Sequence, residues 1–81
     1  MEAKELGAFI AQIRKENQMT QAQLAACLKV TDKAVSRWER GMGFPDIQTL
    51  EPLAEALGVT LTELMKCQKM QQQEVSVQDT D

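Results

Sequence analysis

The stretch that decides the fold is residues 20–41, TQAQLAACLKVTDKAVSRWERG. It contains two short runs with apolar residues at helical spacing, separated by a turn at residues 29–31. Thr20 stands three residues before a glutamine, a capping-box spacing that opens the first run. Thr31 can cap the second run, and Gly41 is a natural C-terminal glycine. The stretch therefore predicts two short helices joined by a tight turn.

The side chains of these two helices suit close packing. Ala25 supplies the small residue that is needed where the helices cross. The apolar residues available to pin them together are Leu24, Leu28, Val30, Val35 and Trp38. This is the pattern of a helix-turn-helix. Trp38 could also stack on a base, but its spacing favours the core.

The outward face of the second helix carries the clearest functional signal. Lys33, Ser36, Arg37 and Arg40 follow the spacing i, i+3, i+4 and i+7, so they form one stripe. Cations with a hydroxyl group are suited to base edges and phosphates in a DNA major groove. The alternative is an ordinary solvated face. The helix-turn-helix context favours the DNA-reading interpretation, because that motif places its reading surface here.

Helical spacing continues outside this stretch and predicts five helices in an all-α fold. The first covers about residues 4–16, and the fifth opens at Thr60. Asp46 can cap the fourth, in which Pro52 predicts a kink or an irregular first turn. The inward residues expected on helices four and five are Ile47, Leu50, Leu53, Ala54, Leu57, Leu61, Leu64 and Met65. Strands are not expected, because no useful length alternates with period two.

Composition excludes several classes of protein. The chain has 81 residues, two cysteines and no histidine. It suits one small domain without a disulfide framework or a familiar zinc pattern. We expect no cofactor, no metal and no catalytic residue, and reduced thiols in a cytoplasmic protein. Cys27 could instead be a redox sensor. No run approaches the ~20 apolar residues of a membrane span.

Charge is distributed unevenly along the chain. The net charge is −3, which by itself argues against an anionic partner. Residues 14–41, however, hold six basic and three acidic residues, whereas residues 42–66 hold four acidic residues and one basic residue. This asymmetry fits a body that is acidic overall and presents one face to an anionic partner.

Several segments resemble the Cro/repressor-type helix-turn-helix family, also called the XRE family, over roughly residues 6–66. They are TQAQLA at 20–25, VSRWERG at 35–41, PD at 45–46, LA at 53–54, LGVT at 57–60 and EL at 63–64. The resemblance implies a five-helix, lambda-repressor-like domain that binds double-stranded DNA and is usually dimeric.

The resemblance also implies roles for individual residues. Gln21 would contact a phosphate and brace the reading helix, and Arg40 would hold a phosphate. The DNA-binding set is Gln21, Thr31, Asp32, Lys33, Ser36, Arg37 and Arg40. The sequence departs from the family at Lys29, where Gly or Asn is frequent and a positive φ would be strained. It also departs from the family at Asp32. The Asp32 carboxylate could accept a hydrogen bond from a cytosine amino group, but it repels phosphate.

These observations predict a sequence-specific transcriptional regulator, a repressor that acts as a homodimer on a two-fold operator. The dimer interface is expected on helix five, at Leu61, Leu64 and Met65. The alternative is the antitoxin half of a toxin–antitoxin pair, a protein-interaction module that also binds DNA and holds a protein partner with the C-terminal tail or helix five. The domain is expected at residues 4–66. The polar tail, residues 67–81, is expected to be helical to about residue 73 and then disordered.

Overall fold

The computed structural model describes residues 1–69, which form five α-helices and contain no strand. The helices are α1 (Ala3–Glu16), α2 (Gln21–Leu28), α3 (Asp32–Glu39), α4 (Ile47–Leu57) and α5 (Leu61–Lys66). The all-α, five-helix prediction is confirmed. The predictions that fall on residues 70–81, including the disordered end of the tail and its protein partner, lie outside the described residues.

Three helices are preceded by a threonine at the N-cap position. Its hydroxyl oxygen accepts a hydrogen bond from the backbone N–H three residues later. The distance from the backbone nitrogen to the threonine Oγ1 is 3.0 Å for Gln23 and Thr20, 3.1 Å for Ala34 and Thr31, and 3.0 Å for Glu63 and Thr60. Each threonine satisfies an N–H group that the helix itself leaves unpaired. The predicted capping boxes of α2 and α5 are both present.

The start of α4 agrees with the prediction in its irregular first turn but not in a capping bond from Asp46. Asp46 precedes the helix, but its side chain accepts no backbone hydrogen bond there. Asp46 Oδ1 instead accepts from the Thr49 hydroxyl over 3.0 Å. Thr49 N–H donates to the Asp46 carbonyl oxygen over 2.8 Å, a three-residue bond that makes the first turn tight. The helix then continues over Pro52 to Leu57.

All five helices of residues 1–69 end in the same way. After each helix one residue adopts a positive φ, and the next residue donates its N–H to the carbonyl five positions back. This is the Schellman arrangement, which satisfies orphan carbonyls at a helix end. The left-handed residues are Gln18, Lys29, Gly41, Gly58 and Cys67. Lys29, where a positive φ would be strained, does adopt one, with φ 59°.

The core contains the predicted inward residues of α1, α2 and α3, together with part of α4 and α5. Its buried hydrophobic members are Leu6, Phe9, Ile10, Ile13, Leu24, Ala25, Val35, Trp38, Leu53, Ala54, Leu57 and Leu64. Burial of Trp38 confirms the core interpretation and excludes base stacking.

Three inward predictions are wrong. Ile47 is 82% exposed, and Leu61 and Met65 are 43% and 42% exposed. Ile47 is the first residue of α4, and Pro45, two positions before it, is buried. On α5, which has only six residues, Leu64 alone is buried.

The axes of α1 and α3 approach each other closely at Gly7. A Cβ at this position would clash with the Trp38 carbonyl oxygen and come within 2.9 Å of the Glu39 carbonyl oxygen. Gly7 is therefore required by space, because only a residue without a side chain lets the two backbones meet. This contact holds α3 against the first helix, and it positions the outward face of α3.

The chain leaves the last helix in a direction that sequence pattern did not predict. Cys67 has φ 56° and ψ 38°, so α5 ends at Lys66 and does not continue through residues 67–69. The left-handed residue turns the backbone away from the helix axis. Lys69 then lies beside α1, with its Nζ 3.5 Å from Glu16 Oε1.

Candidate nucleic-acid interface

The outward face of α3 is an exposed polar row. Asp32, Lys33 and Arg37 are exposed, and Ser36 is half-buried next to them. The opposite side of α3 buries Val35 and Trp38, so the row cannot turn toward the core. Within residues 1–69 no hydrogen bond or ion pair occupies the side chain of Lys33 or Arg37, which leaves both cations available to a partner.

The N-terminus of α3 brings Thr31 and Asp32 to the same end of this row. Thr31 Oγ1 accepts from the Ala34 N–H, so the hydroxyl hydrogen remains available as a donor. Asp32 lies in the first turn, where a carboxylate is favoured by the helix dipole. The dipole thus accounts for Asp32 without any contact to a base.

Gln21, at the start of α2, is tied to the end of α3. Its Nε2 donates to Glu39 Oε1 over 2.9 Å. A side-chain amide has two N–H donors and a carbonyl acceptor, so one hydrogen and the oxygen of Gln21 remain available. The predicted bracing of the reading helix by Gln21 is present in this geometry.

Glu39 also forms a buried ion pair with Arg14. Arg14 Nε lies 2.6 Å from Glu39 Oε2, Arg14 Nη2 donates to Oε1 over 3.0 Å, and the two side chains are 10% and 7% exposed. Arg14 Nη1 donates to the Met19 carbonyl oxygen over 2.7 Å. The hydrogen bonds and charge of Glu39 raise the pKa of Arg14 above its ordinary value, although burial opposes this. The pair joins α1 to α3 behind the polar row.

This ion pair was not predicted from the sequence. In the sequence, Arg14 contributes only to the basic charge of residues 14–41. It is separated from Glu39 by 25 positions, so no local spacing links the two residues. One signal was available. Arg14 directly follows the apolar residue Ile13 in α1, so it borders the inward face rather than lying opposite to it.

The C-terminal end of the row is formed by Arg40. Its side chain is exposed, and its Nε donates to the Ser36 carbonyl oxygen over 3.3 Å. The guanidinium group therefore lies along the last turn of α3, with its other N–H groups free of contacts within residues 1–69. Five residues of the predicted set lie on α3 or directly beside one of its ends and have exposed side chains: Thr31, Asp32, Lys33, Arg37 and Arg40.

The other candidate residues are dispersed. Cys27 is exposed, and Cys67 is partly buried. Burial raises the pKa of the Cys67 thiol, and the charge of Glu5 adds to the effect. Leu64, one of the three predicted dimer residues, lies in the monomer core, whereas Leu61 and Met65 face outward. None of the helices within residues 1–69 has the length and apolar content needed to cross a membrane.

Comparison with known proteins agrees with this geometry. A family model described as "Helix-turn-helix" matches residues 10–64. The chain is 33% identical over 66 residues to the HTH-type transcriptional activator BcrR of Enterococcus faecalis, covering 82% of this chain and 32% of BcrR. It is 37% identical over 62 residues to the uncharacterized HTH-type transcriptional regulator y4dJ of Sinorhizobium fredii, covering 76% of this chain and 80% of that protein.

Solved structures show the same fold. The DNA-binding domain of the P22 C2 repressor superimposes with a TM-score of 0.74 at 32% identity, over 82% of this chain and 87% of that one. The P22 c2 repressor in complex with a synthetic operator gives a TM-score of 0.70 over 73% of this chain and 89% of that one. The chain belongs to the XRE family of helix-turn-helix transcriptional regulators, and α2 and α3 form its DNA-binding motif.

Proposed function

We propose that this regulator is a sequence-specific repressor that binds a two-fold operator as a homodimer and reads the major groove with α3. The observation that carries the proposal is the row of exposed side chains on α3, in which Lys33 and Arg37 have no partner within residues 1–69. An unpaired cation on a helix that fits a major groove can be satisfied by guanine O6 and N7.

The proposal assigns different contacts to the two ends of the row. Arg37 reads a base pair, with Lys33 and Ser36 beside it. Arg40 and Thr31 hold phosphates, and Gln21 holds another through its remaining N–H group. Asp32 repels a phosphate, because both groups are anionic. Its contact in this proposal is a cytosine amino group.

A homodimer is proposed because a single domain would recognise its DNA sequence with too little specificity. One reading helix makes too few base contacts to single out a site in a genome. Two copies related by a two-fold axis place their reading helices about 34 Å apart, which is one turn of DNA. Leu61 and Met65 of α5 face outward and are proposed to contribute to the contact between copies, whereas Leu64 is not part of it.

Selection of bound sites from random DNA, followed by titration at several salt concentrations, tests the proposal. Log K should fall by about 0.9 per unit of log salt for each phosphate neutralised, so a dimer should give a slope of several units. Selected sites should be palindromic. Recovery of no sequence above background, or an affinity that is independent of salt, would contradict it.

The proposal includes no catalytic activity and places the protein in the cytoplasm, where its DNA target is found. Repression rather than activation is supported by similarity to phage repressors, since 40 residues are 50% identical to the 26 kDa repressor protein of Escherichia phage HK022 over 49% of this chain and 17% of that protein. The relative BcrR is named an activator. Expression of a reporter placed behind the selected site separates the two directions of control.

A further inference from the structure

The first turn of α1 lies against the end of the reading helix α3. A Cβ on Gly41, the residue that follows Arg40, would lie 2.8 Å from Lys4 Cγ and 3.0 Å from Lys4 Cα. A side chain on Gly41 would therefore push Lys4 away. The glycine lets the aliphatic stem of Lys4 pack directly on the turn that ends α3. Because Gly41 also has φ 75°, the same residue sets the turn and admits the lysine.

The charge of Lys4 is available to a partner. Lys4 is exposed, and within residues 1–69 its ammonium group has no hydrogen bond or ion pair. The acidic residues beside it in the chain have other contacts. Glu5 lines a cavity together with Lys66, on the side of α1 that faces α5, and its Oε1 accepts from the Glu2 N–H over 3.3 Å. The Lys4 stem therefore brings an unpaired cation to the end of α3.

This cation extends the polar row of α3. In the proposed function Arg40 holds a phosphate at the C-terminal end of that row, and Lys4 is packed on the next residue, Gly41. Each strand of a duplex carries one phosphate for about every 3.4 Å of helix axis. A cation placed one residue beyond Arg40 can thus reach a neighbouring phosphate. Lysine suits such a contact, because its ammonium group is a compact charge on a flexible stem.

We propose that Lys4 binds the DNA phosphate next to the one held by Arg40, so that α1 forms part of the DNA interface. This inference rests on the proposed function, which places α3 in the major groove. The ammonium group, and not the backbone at the start of α1, is the ligand for the phosphate. Such a contact adds affinity and orients the domain on the duplex without changing the choice of site. The charge pattern of the sequence does not reveal it, because Lys4 lies outside residues 14–41 and has two acidic neighbours.

The salt dependence of DNA binding measures this contact. Lys4→Met keeps a stem of similar length and removes the charge, so urea unfolding should show wild-type stability. The slope of log K against log salt should become shallower by about 0.9 for each bound domain. Lys4→Arg should keep the wild-type slope. The matched control is Lys66→Met, which removes one exposed cation from α5, a helix packed on α1 and α4, and should leave the slope unchanged.

Ethylation interference on the selected duplex locates the contact. An ethyl group on the phosphate bound by Lys4 removes its charge, so it should weaken binding of the wild type and have no effect on Lys4→Met. The affected position should lie next to the one at which Arg40→Ala loses its sensitivity.

Three results separate this contact from other roles of Lys4. A wild-type slope and interference pattern in Lys4→Met overturn the proposal and leave Lys4 only its packing on Gly41. An effect of Lys4→Met that is confined to one base pair also overturns it, because Lys4 would then contact a base. If the wild type binds all duplexes equally while Lys4→Met still has the shallower slope, the sequence-specific function is refuted and the phosphate contact stands.

Discussion

The Nε2 atom of Gln21 donates to Glu39 Oε1 over 2.9 Å, which joins the first residue of α2 to the last residue of α3. The same carboxylate accepts two bonds from Arg14 of α1. One carboxylate therefore holds three helices in register, and one of its partners lies at the surface that faces DNA in the proposed function. In the proposed function, stability and DNA contact would therefore be coupled at this carboxylate.

Replacement of Glu39 by alanine should show this coupling. The change strands the Arg14 guanidinium group in a buried position, so the free energy of unfolding should fall by about 3–5 kcal/mol. Gln21→Ala is the control, because it removes one hydrogen bond to a charged group and should cost about 1.5 kcal/mol. Urea unfolding followed by circular dichroism measures both. Equal losses in the two variants would show that the ion pair does not stabilise the fold.

The close approach at Gly7 predicts an unusual sign for a glycine substitution. In an open helix, Gly→Ala is stabilising by roughly 0.5–1 kcal/mol. Gly7→Ala should instead destabilise the domain by about 1–3 kcal/mol or more, because its Cβ meets the backbone of α3. Thermal unfolding decides between the two signs. Ala8→Gly at the neighbouring exposed position is the control, with an expected loss of about 1 kcal/mol from helix propensity alone.

Lys29 should be a site where glycine stabilises the protein. Its φ of 59° places a side chain in the left-handed region, at a cost of roughly 1–2 kcal/mol. Lys29→Gly removes that cost, and we expect a gain of about 1 kcal/mol in the free energy of unfolding. Lys29→Ala removes the same charge but keeps the Cβ, so it separates strain from electrostatics. A gain of equal size in the alanine variant would refute the strain argument.

Arg37 and Arg40 should differ in their effects on DNA binding. Arg37→Ala should cost about 1–3 kcal/mol on the selected site and relax the preference at one base pair per half-site. Arg40→Ala should weaken binding to all sequences nearly equally, because a phosphate contact carries no sequence information. Competition titrations with single-base variants of the site measure both profiles. If the two profiles were exchanged, the orientation assigned to α3 in the groove would be wrong.

The two cysteines should react at different rates with an alkylating reagent. Cys27 is exposed, whereas Cys67 is partly buried and its raised pKa reduces the thiolate fraction at a given pH. Because the thiolate is the nucleophile, Cys27 should be modified first near pH 8. Mass spectrometry of partly alkylated protein identifies the site, and Cys27→Ser leaves only the slow reaction. Faster modification of Cys67 would show that the end of α5 opens readily.

Sequence pattern was sufficient where the deciding interaction is local. Thr20, Thr31 and Thr60 cap their helices through contacts three residues away, so their roles follow from spacing. Helical period also placed Trp38 in the core and Arg37 on the opposite face. The resemblance to a family whose turn often has glycine or asparagine at Lys29 marked this position as one where a positive φ would be strained, and the structure has a positive φ there.

Interactions between segments that are distant in the sequence could not be predicted from sequence pattern. The Arg14–Glu39 pair and the contact of Gly7 with α3 depend on how α1 crosses α3, which no periodicity specifies. Ile47 has the right spacing for the inward face of α4, yet it is exposed at the first position of the helix, whereas Pro45 in the loop before it is buried. Leu61, Leu64 and Met65 lie on one face of α5 by spacing, but only Leu64 is buried, because the depth to which a short helix docks on its neighbours is not specified by periodicity.

The glycine at the crossing of α1 and α3 also has a consequence for how a DNA site is selected. Where backbone packs on backbone, no side chain is present whose rotamer could adjust, so we expect α3 to keep its position against α1 when it meets an imperfect groove. The domain therefore arrives at DNA as a rigid template and loses little conformational entropy there. Adaptation to a poor site has to come from the duplex, whose bending energy depends on its sequence. Base pairs that no side chain touches should for this reason still contribute to the choice of operator.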